Sequence, residues 1–214
     1  QYKNDFYPDV DDTAVVAMFL DRAGYQNKKI LEKACNWIVG MQSENGGWGS
    51  FDKNNTFYYL NNIPFADHGA LLDPPTSDVS ARCVSMLSQI DKKNYKNVIQ
   101  KGVRFLKNEQ EKDGSWFGRW GTNYIYGTWS VLHALKAAGE DMNADYIKKS
   151  ITWIKNKQNK DGGWGEDCAT YWKEKKNMPS IKSMPSQTSW GILSLLLTEK
   201  IDTKHIINGI NFLK

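Results

Sequence analysis

Cysteine is scarce in this chain, and its number is odd. Cys35, Cys83 and Cys168 are the three in 214 residues, and none forms a CxxC pair. That argues against a disulfide framework and a thiolate zinc site, and for a reducing compartment. Three histidines, His68, His133 and His205, also lack metal-ligand spacing, so no metal or other cofactor is expected. No apolar run approaches the length of a bilayer span, although contact with one membrane face is left open. Net charge is +4, from 28 basic and 24 acidic residues with the signs interspersed. No basic block alternates with aromatics, so nucleic acid is not an expected partner. Lys148-Lys149 and Lys173–Lys176 read as solvated faces. No stretch has the alternation of a strand. The chain starts at Gln1 without a signal peptide and ends at Lys214 inside an apparent helix, so it reads as an excerpt of a longer protein, truncated at both ends.

Rings are abundant instead. Aromatics make up 13% of the chain, with 9 Trp and 10 Tyr, more than a simple helical core needs. Some of them belong to a repeat. Lys33–Trp48, Lys101–Trp116 and Lys149–Trp164 share one pattern: Lys, a small residue, an aromatic-aliphatic pair, then Gln, Gly and Trp at fixed offsets. Their glutamines are Gln42, Gln110 and Gln158, separated by 68 and 48 residues, so the unit is constant and the linkers vary. A fourth copy opens at Asn208-Gly209. Each copy predicts an amphipathic helix ending near Gln, a left-handed turn at Gly, and a Trp folding back so that its ring edge meets the Gln amide.

Between the copies lie four segments of another kind: Asp11–Leu20, Thr76–Leu87, Tyr126–Leu135 and Pro185–Leu197. Each opens with cap-forming and small residues and becomes almost wholly apolar, the pattern of a buried helix. One buried and one half-exposed helix per unit, stacked around a ring, gives an all-α fold, an α/α toroid of inner and outer helices. Residues 1–214 are read as part of one such domain, incomplete in this excerpt. The connections 49–75, 117–125 and 165–184 are long for a compact domain, which suggests that they serve a site. If the inner helices all start at one end, those loops converge there.

The same end would carry the most unusual stretch, Asp9-Val10-Asp11-Asp12 ahead of an apolar run. Three carboxylates so close cannot all ionise cheaply in a dry site, and one becomes a proton donor. Asp is equally a preferred N-cap, and these residues alone leave both readings open. Convergence of the caps would bring the cluster beside Asp78 and Arg82 and near Trp120, Tyr124 and Tyr126, joining acid groups and rings in one cavity. Protonating an isolated alkene requires such an acid, and the resulting carbocations require faces that stabilise without attacking.

At this point the chain resembles a squalene-hopene cyclase, a class II terpene cyclase. The resemblance rests on Asp9–Ala14, on the three "QW" repeats, and on Pro64–Gly69, Asp73–Thr76, Asp113–Gly121 and Gly163–Cys168. It implies acid-initiated polycyclisation of squalene to a pentacyclic hopanoid, hopene or hopanol. By resemblance Asp11 is the proton donor and Asp9 and Asp12 are its polarising partners. Trp120 and Tyr126 are cavity aromatics with Tyr124 close by. Phe51 stands where some relatives have a cavity Tyr, and Phe65 stands at the narrowing of the substrate channel. Arg82 takes the place of a His that contacts the donor acid in the best-known relative. Arg can stabilise the carboxylate left behind but cannot relay a proton. Asp-Val-Asp-Asp favours squalene over its epoxide. The resemblance further implies a monotopic membrane protein on the cytoplasmic side, a homodimer at full length. The isolated 214 residues are expected to be inactive. Two other readings are a class II diterpene-type cyclase, which shares Asp-x-Asp-Asp, and a non-catalytic toroid module that binds a protein.

Overall fold

The computed structural model describes residues 8–63, 71–201 and 203–214. Phe65 and His68 therefore lie outside the described residues. Among those described there are eight α-helices and no strand. They are α1 (Val10–Arg22), α2 (Lys28–Gly40), α3 (Ser77–Asp91), α4 (Lys96–Asn108), α5 (Tyr124–Ala138), α6 (Asp145–Asn156), α7 (Pro185–Leu195) and α8 (Lys204–Leu213). The chain forms two compact units, residues 1–108 with α1–α4 and residues 109–214 with α5–α8.

In each unit the odd-numbered helices pack on one another, α1 on α3 and α5 on α7, and each even-numbered helix packs on a neighbour of that pair. α3 and α5 are buried along most of their length, α5 as a largely apolar helix and α3 with Ser77, Asp78, Ser80 and Ser88 among its buried side chains. α4 and α6 keep one apolar stripe, Ile99, Val103 and Leu106 in one and Ile147, Ile151 and Ile154 in the other. The expectation of near-complete burial fails for α1. Val15, Val16 and Phe19 are exposed, because α1 packs chiefly on α2 and α3 among the described helices.

The repeat is a stitch between successive helix pairs. Gln42 Nε2 donates to Gly46 O (2.9 Å) and to Val98 O (3.0 Å), a carbonyl in the first turn of α4. Gln110 does the same to Gly114 O and Tyr146 O in α6, and Gln158 to Gly162 O and His205 O in α8. The amide thus satisfies carbonyls of its own turn and of the next outer helix. The indole N–H goes elsewhere: Trp48 Nε1 donates to Ile38 O (2.7 Å) and Trp164 Nε1 to Ile154 O (2.8 Å). The Trp backbone N–H groups meet hydroxyls on the next inner helix, Ser80, Thr128 and Thr188. The small polar residues of the apolar segments are therefore acceptors for the repeat. Trp48, Trp116 and Trp164 are fully buried, which fits packing roles.

Gly162 carries the tightest point of this stitch. Its φ is +90°, and a Cβ there would stand 2.5 Å from Asn208 O of α8. Gly162→Ala combines left-handed strain with a backbone clash and is expected to cost about 2–4 kcal/mol. Gly40, at the end of α2, has nothing within 4 Å of its would-be Cβ. Gly40→Ala is expected to be neutral or slightly stabilising. Urea unfolding of the two variants checks the contrast, and equal midpoints would contradict it.

Candidate active site

The acid cluster sits on the first turn of α1, and the three carboxylates divide the work. Asp9 is the N-cap: its Oδ1 accepts the backbone N–H of Asp12 at 2.8 Å. Burial raises the Asp9 pKa, with hydrogen bonds from the backbone of Asp12 and Asp11 opposing. Asp11 lies two residues inside the helix, and its Oδ1 is buried with no hydrogen-bond donor. Burial is the main force on it, the Arg82 guanidinium opposes, and the charges of Asp78, Asp9 and Asp12 add to burial. The result is a carboxyl pushed up from 3.8 to about 6. The cluster is thus both cap and acid, through different residues.

Arg82, on α3, brings Nε to 3.5 Å from Asp11 Oδ1. That is an ion-pair distance without the alignment of a hydrogen bond. Next to it Asp78 is buried and accepts the Thr76 hydroxyl at 2.7 Å. The first turn of α1 is also held from outside, since Val10 N donates to Ser50 O at 2.8 Å. The loop bearing Ser50 is fixed by one buried carboxylate: Asp73 accepts the backbone N–H groups of Ser50 (3.1 Å), Phe51 (2.7 Å) and Asp52 (2.8 Å). Phe51 is therefore placed by Asp73, and the structure brings Asp9, Asp11, Asp12 and Arg82 onto facing turns of α1 and α3.

In the second unit, Tyr124 and Tyr126 lie in the first turn of α5 and are buried. Tyr124 meets Phe117 edge-on with ring centroids 5.8 Å apart, and Lys176 Nζ lies 4.4 Å from its ring centroid. Burial, and then the charges of Glu111, Glu166 and Asp113, push its hydroxyl up to about 12, so it stays protonated. Tyr126 packs on Trp190 (5.1 Å) and Trp129 (5.9 Å). Gly118 and Gly121 close over it, each with a would-be Cβ 2.7 Å from the ring. Trp120 is 47% exposed with Arg119 at 5.3 Å from its ring, so within this unit it is a surface ring.

Sequence reasoning missed several of these groups. Lys176 is not a solvated lysine: it is 13% exposed and pairs with Glu111 (3.4 Å) and Asp113 (3.2 Å). Trp129 and Trp190 were passed over as apolar helix residues, and their helical register against Tyr126 was the available signal. Glu166 caps α5 from more than forty residues away. His133 meets Trp129 edge-on and His205 Nδ1 meets Gln158 Oε1 at 2.7 Å, consistent with packing.

The sequence profile of the squalene-hopene cyclase C-terminal domain matches residues 1–214. The chain belongs to this family. A squalene-hopene cyclase of Schizosaccharomyces japonicus is 56% identical over 214 residues, covering 100% of this chain and 32% of its own length. That of Zymomonas mobilis is 51% identical over 219 residues, covering 100% and 33%. A dammaradiene synthase of Dryopteris crassirhizoma is 36% identical over 244 residues, covering 100% and 35%. The chain spans about a third of the length of these squalene-hopene cyclase family relatives. Among solved structures, the ent-copalyl diphosphate synthase from Streptomyces platensis aligns with a TM-score of 0.68 at 19% identity, covering 96% of this chain and 35% of its own. A type II terpene cyclase from Scytonema aligns at 0.67 and 16% identity, covering 97% and 54%. At such identities the likeness shows the fold alone: the α/α toroid class of the type II terpene cyclases.

Proposed function

We propose that this chain supplies the acid and part of the cavity wall of an enzyme that cyclises squalene to a pentacyclic hopanoid. The observation that carries the reading is Asp11, a carboxyl raised to about 6 with its oxygen free of hydrogen-bond donors and a guanidinium 3.5 Å away. Asp11 gives its proton to the less substituted carbon of a terminal alkene, leaving a tertiary cation at its neighbour. The remaining double bonds attack in turn, each closing a ring and passing the cation on. Loss of a proton ends the cascade as hopene, and capture of water ends it as hopanol. Asp9 holds the helix start, Asp12 and Asp78 add the negative field that helps raise the Asp11 pKa, and Arg82 stabilises its carboxylate after transfer. Tyr126, Tyr124, Trp120 and Phe51 keep the role of ring faces for the cations, each worth about 0.5–2 kcal/mol. Phe65 keeps the role of channel narrowing.

Squalene is almost insoluble in water, so the enzyme has to take it from a bilayer. A monotopic attachment is what this substrate supports, and its cytoplasmic side is carried over from the family resemblance. Among the described residues no helix is long and apolar enough to cross a membrane. The test is product analysis of the full-length protein with squalene and, in parallel, with a C20 isoprenoid diphosphate. Pentacyclic product from squalene alone is expected. Turnover of the diphosphate alone would replace this reading with the diterpene-type one, and turnover of neither would leave a binding module.

A further inference from the structure

The first turn of α5 takes its cap from a distant chain segment. Glu166 Oε2 accepts the N–H of Ile125 at 2.9 Å and of Asn123 at 3.3 Å, and Oε1 accepts that of Tyr124 at 3.1 Å. Asn123 at the N-cap position makes no side-chain cap of its own. α1 is different: Asp9 caps it locally, and the residue two beyond the repeat Trp, Ser50, touches it only through a backbone carbonyl. Glu166 is likewise two residues beyond a repeat Trp, Trp164, but here the carboxylate makes the contact. Its main chain is clamped in turn by Gln187, a buried residue of α7. Gln187 Oε1 accepts Glu166 N at 2.6 Å, and Nε2 donates to Glu166 O at 3.1 Å and to Thr122 O at 3.3 Å.

This turn carries Tyr124 and Tyr126. Gly118, Gly121, Trp190 and Trp129 all pack against the Tyr126 ring, so its position follows that of the turn. A carboxylate has lone pairs for all three N–H groups, whereas a Gln amide has one oxygen and turns an N–H toward at least one of them. We propose that Glu166 is a positioning residue of the cyclisation, fixing the first turn of α5 and the Tyr126 ring and so setting how far the carbocation cascade runs before a proton is lost. This rests on the reading of Tyr126 as a cavity ring.

Glu166→Gln in the full-length protein tests it, assayed with squalene for kcat, KM, pH profile and ring number of the products, with folding followed by circular dichroism. Expected are a fall in kcat of about ten- to hundredfold, KM changed less than kcat, and a shift toward products with fewer rings. The alkaline limb of the pH profile should stay in place, because the acid is untouched. A folded Glu166→Gln protein with the wild-type product pattern overturns the proposal. Should Glu166→Gln not fold, Glu166→Asp carries the same test, since it keeps the charge and withdraws it by one methylene. Tyr126→Ala, run in parallel, separates the two layers. If it leaves the products unchanged, the cavity reading of Tyr126 fails and the role of Glu166 fails with it. If it changes them while Glu166→Gln does not, the Glu166 proposal alone is lost.

Discussion

Asp11→Asn in the full-length protein is expected to lose cyclisation by about a thousandfold or more and, at neutral pH, to be more stable than the wild type. The loss follows from the proposed role of Asp11, since Asn keeps the shape of the side chain and has no acidic proton to give. The gain follows from the same raised pKa. In the unfolded chain the carboxyl titrates near its ordinary value of 3.8, and in the folded chain it is raised to about 6. Between those values the folded state holds the proton more tightly, so stability falls as pH rises through that window and the deficit is complete above it. The shift corresponds to about 2–3 kcal/mol, on a side chain that is 26% exposed. Asn carries no such penalty. Thermal midpoints should therefore coincide at pH 3.5 and separate by several degrees at pH 7.5, the variant being higher. Retained hopene formation would remove Asp11 from the donor role. Equal midpoints at pH 7.5 would mean that folding does not raise the Asp11 pKa.

Much of the fold is written in short-range patterns. The repeat was legible because Gln, Gly and Trp recur at fixed offsets, and each offset closes one turn. The inner helices were legible because they are apolar beyond what one stripe requires. Asp11 was singled out by resemblance; the residues alone left cap and acid open, and the structure divides the two by giving the cap to Asp9. What stayed hidden acts across long separations. Asp73 orders Ser50, Phe51 and Asp52 from more than twenty residues away, and nothing local distinguishes it from a solvated Asp. Lys176 sits in a run of lysines, and only the fold tells which one turns inward toward Glu111 and Asp113. The second acceptor of each Gln amide stayed hidden for the same reason, since it lies on the next outer helix. The exposed side of α1 was misjudged because an apolar segment reports how much surface it can bury, not how many neighbours it has.

Arg82→Gln is expected to change rate and pH dependence in opposite senses, and this separates two roles that a single guanidinium combines. In the resting enzyme Arg82 opposes burial and lowers the Asp11 pKa. Without it the carboxyl stays protonated to higher pH, so the alkaline limb of kcat moves upward from the value of about 6 set for the wild type. An enzyme limited only by how much acid it holds would then run faster at pH 7. After transfer, however, Asp11 is a buried carboxylate whose Oδ1 has no hydrogen-bond donor, and Arg82 at 3.5 Å is the cation beside it. Leaving that charge uncompensated costs about 2–4 kcal/mol, so the plateau rate at low pH should fall by roughly a hundredfold or more. The second effect exceeds the first, because the upward shift can recover no more than the fraction of acid missing at neutral pH, about tenfold. Arg82→His should restore part of the plateau and add a second ionisation near the imidazole pKa. Its charge stabilises the carboxylate only while protonated. A full pH–rate profile for the three forms reads both effects. An unchanged plateau in Arg82→Gln would assign the carboxylate's stabilisation to another group, and an alkaline limb that fails to rise would uncouple Arg82 from the acid altogether.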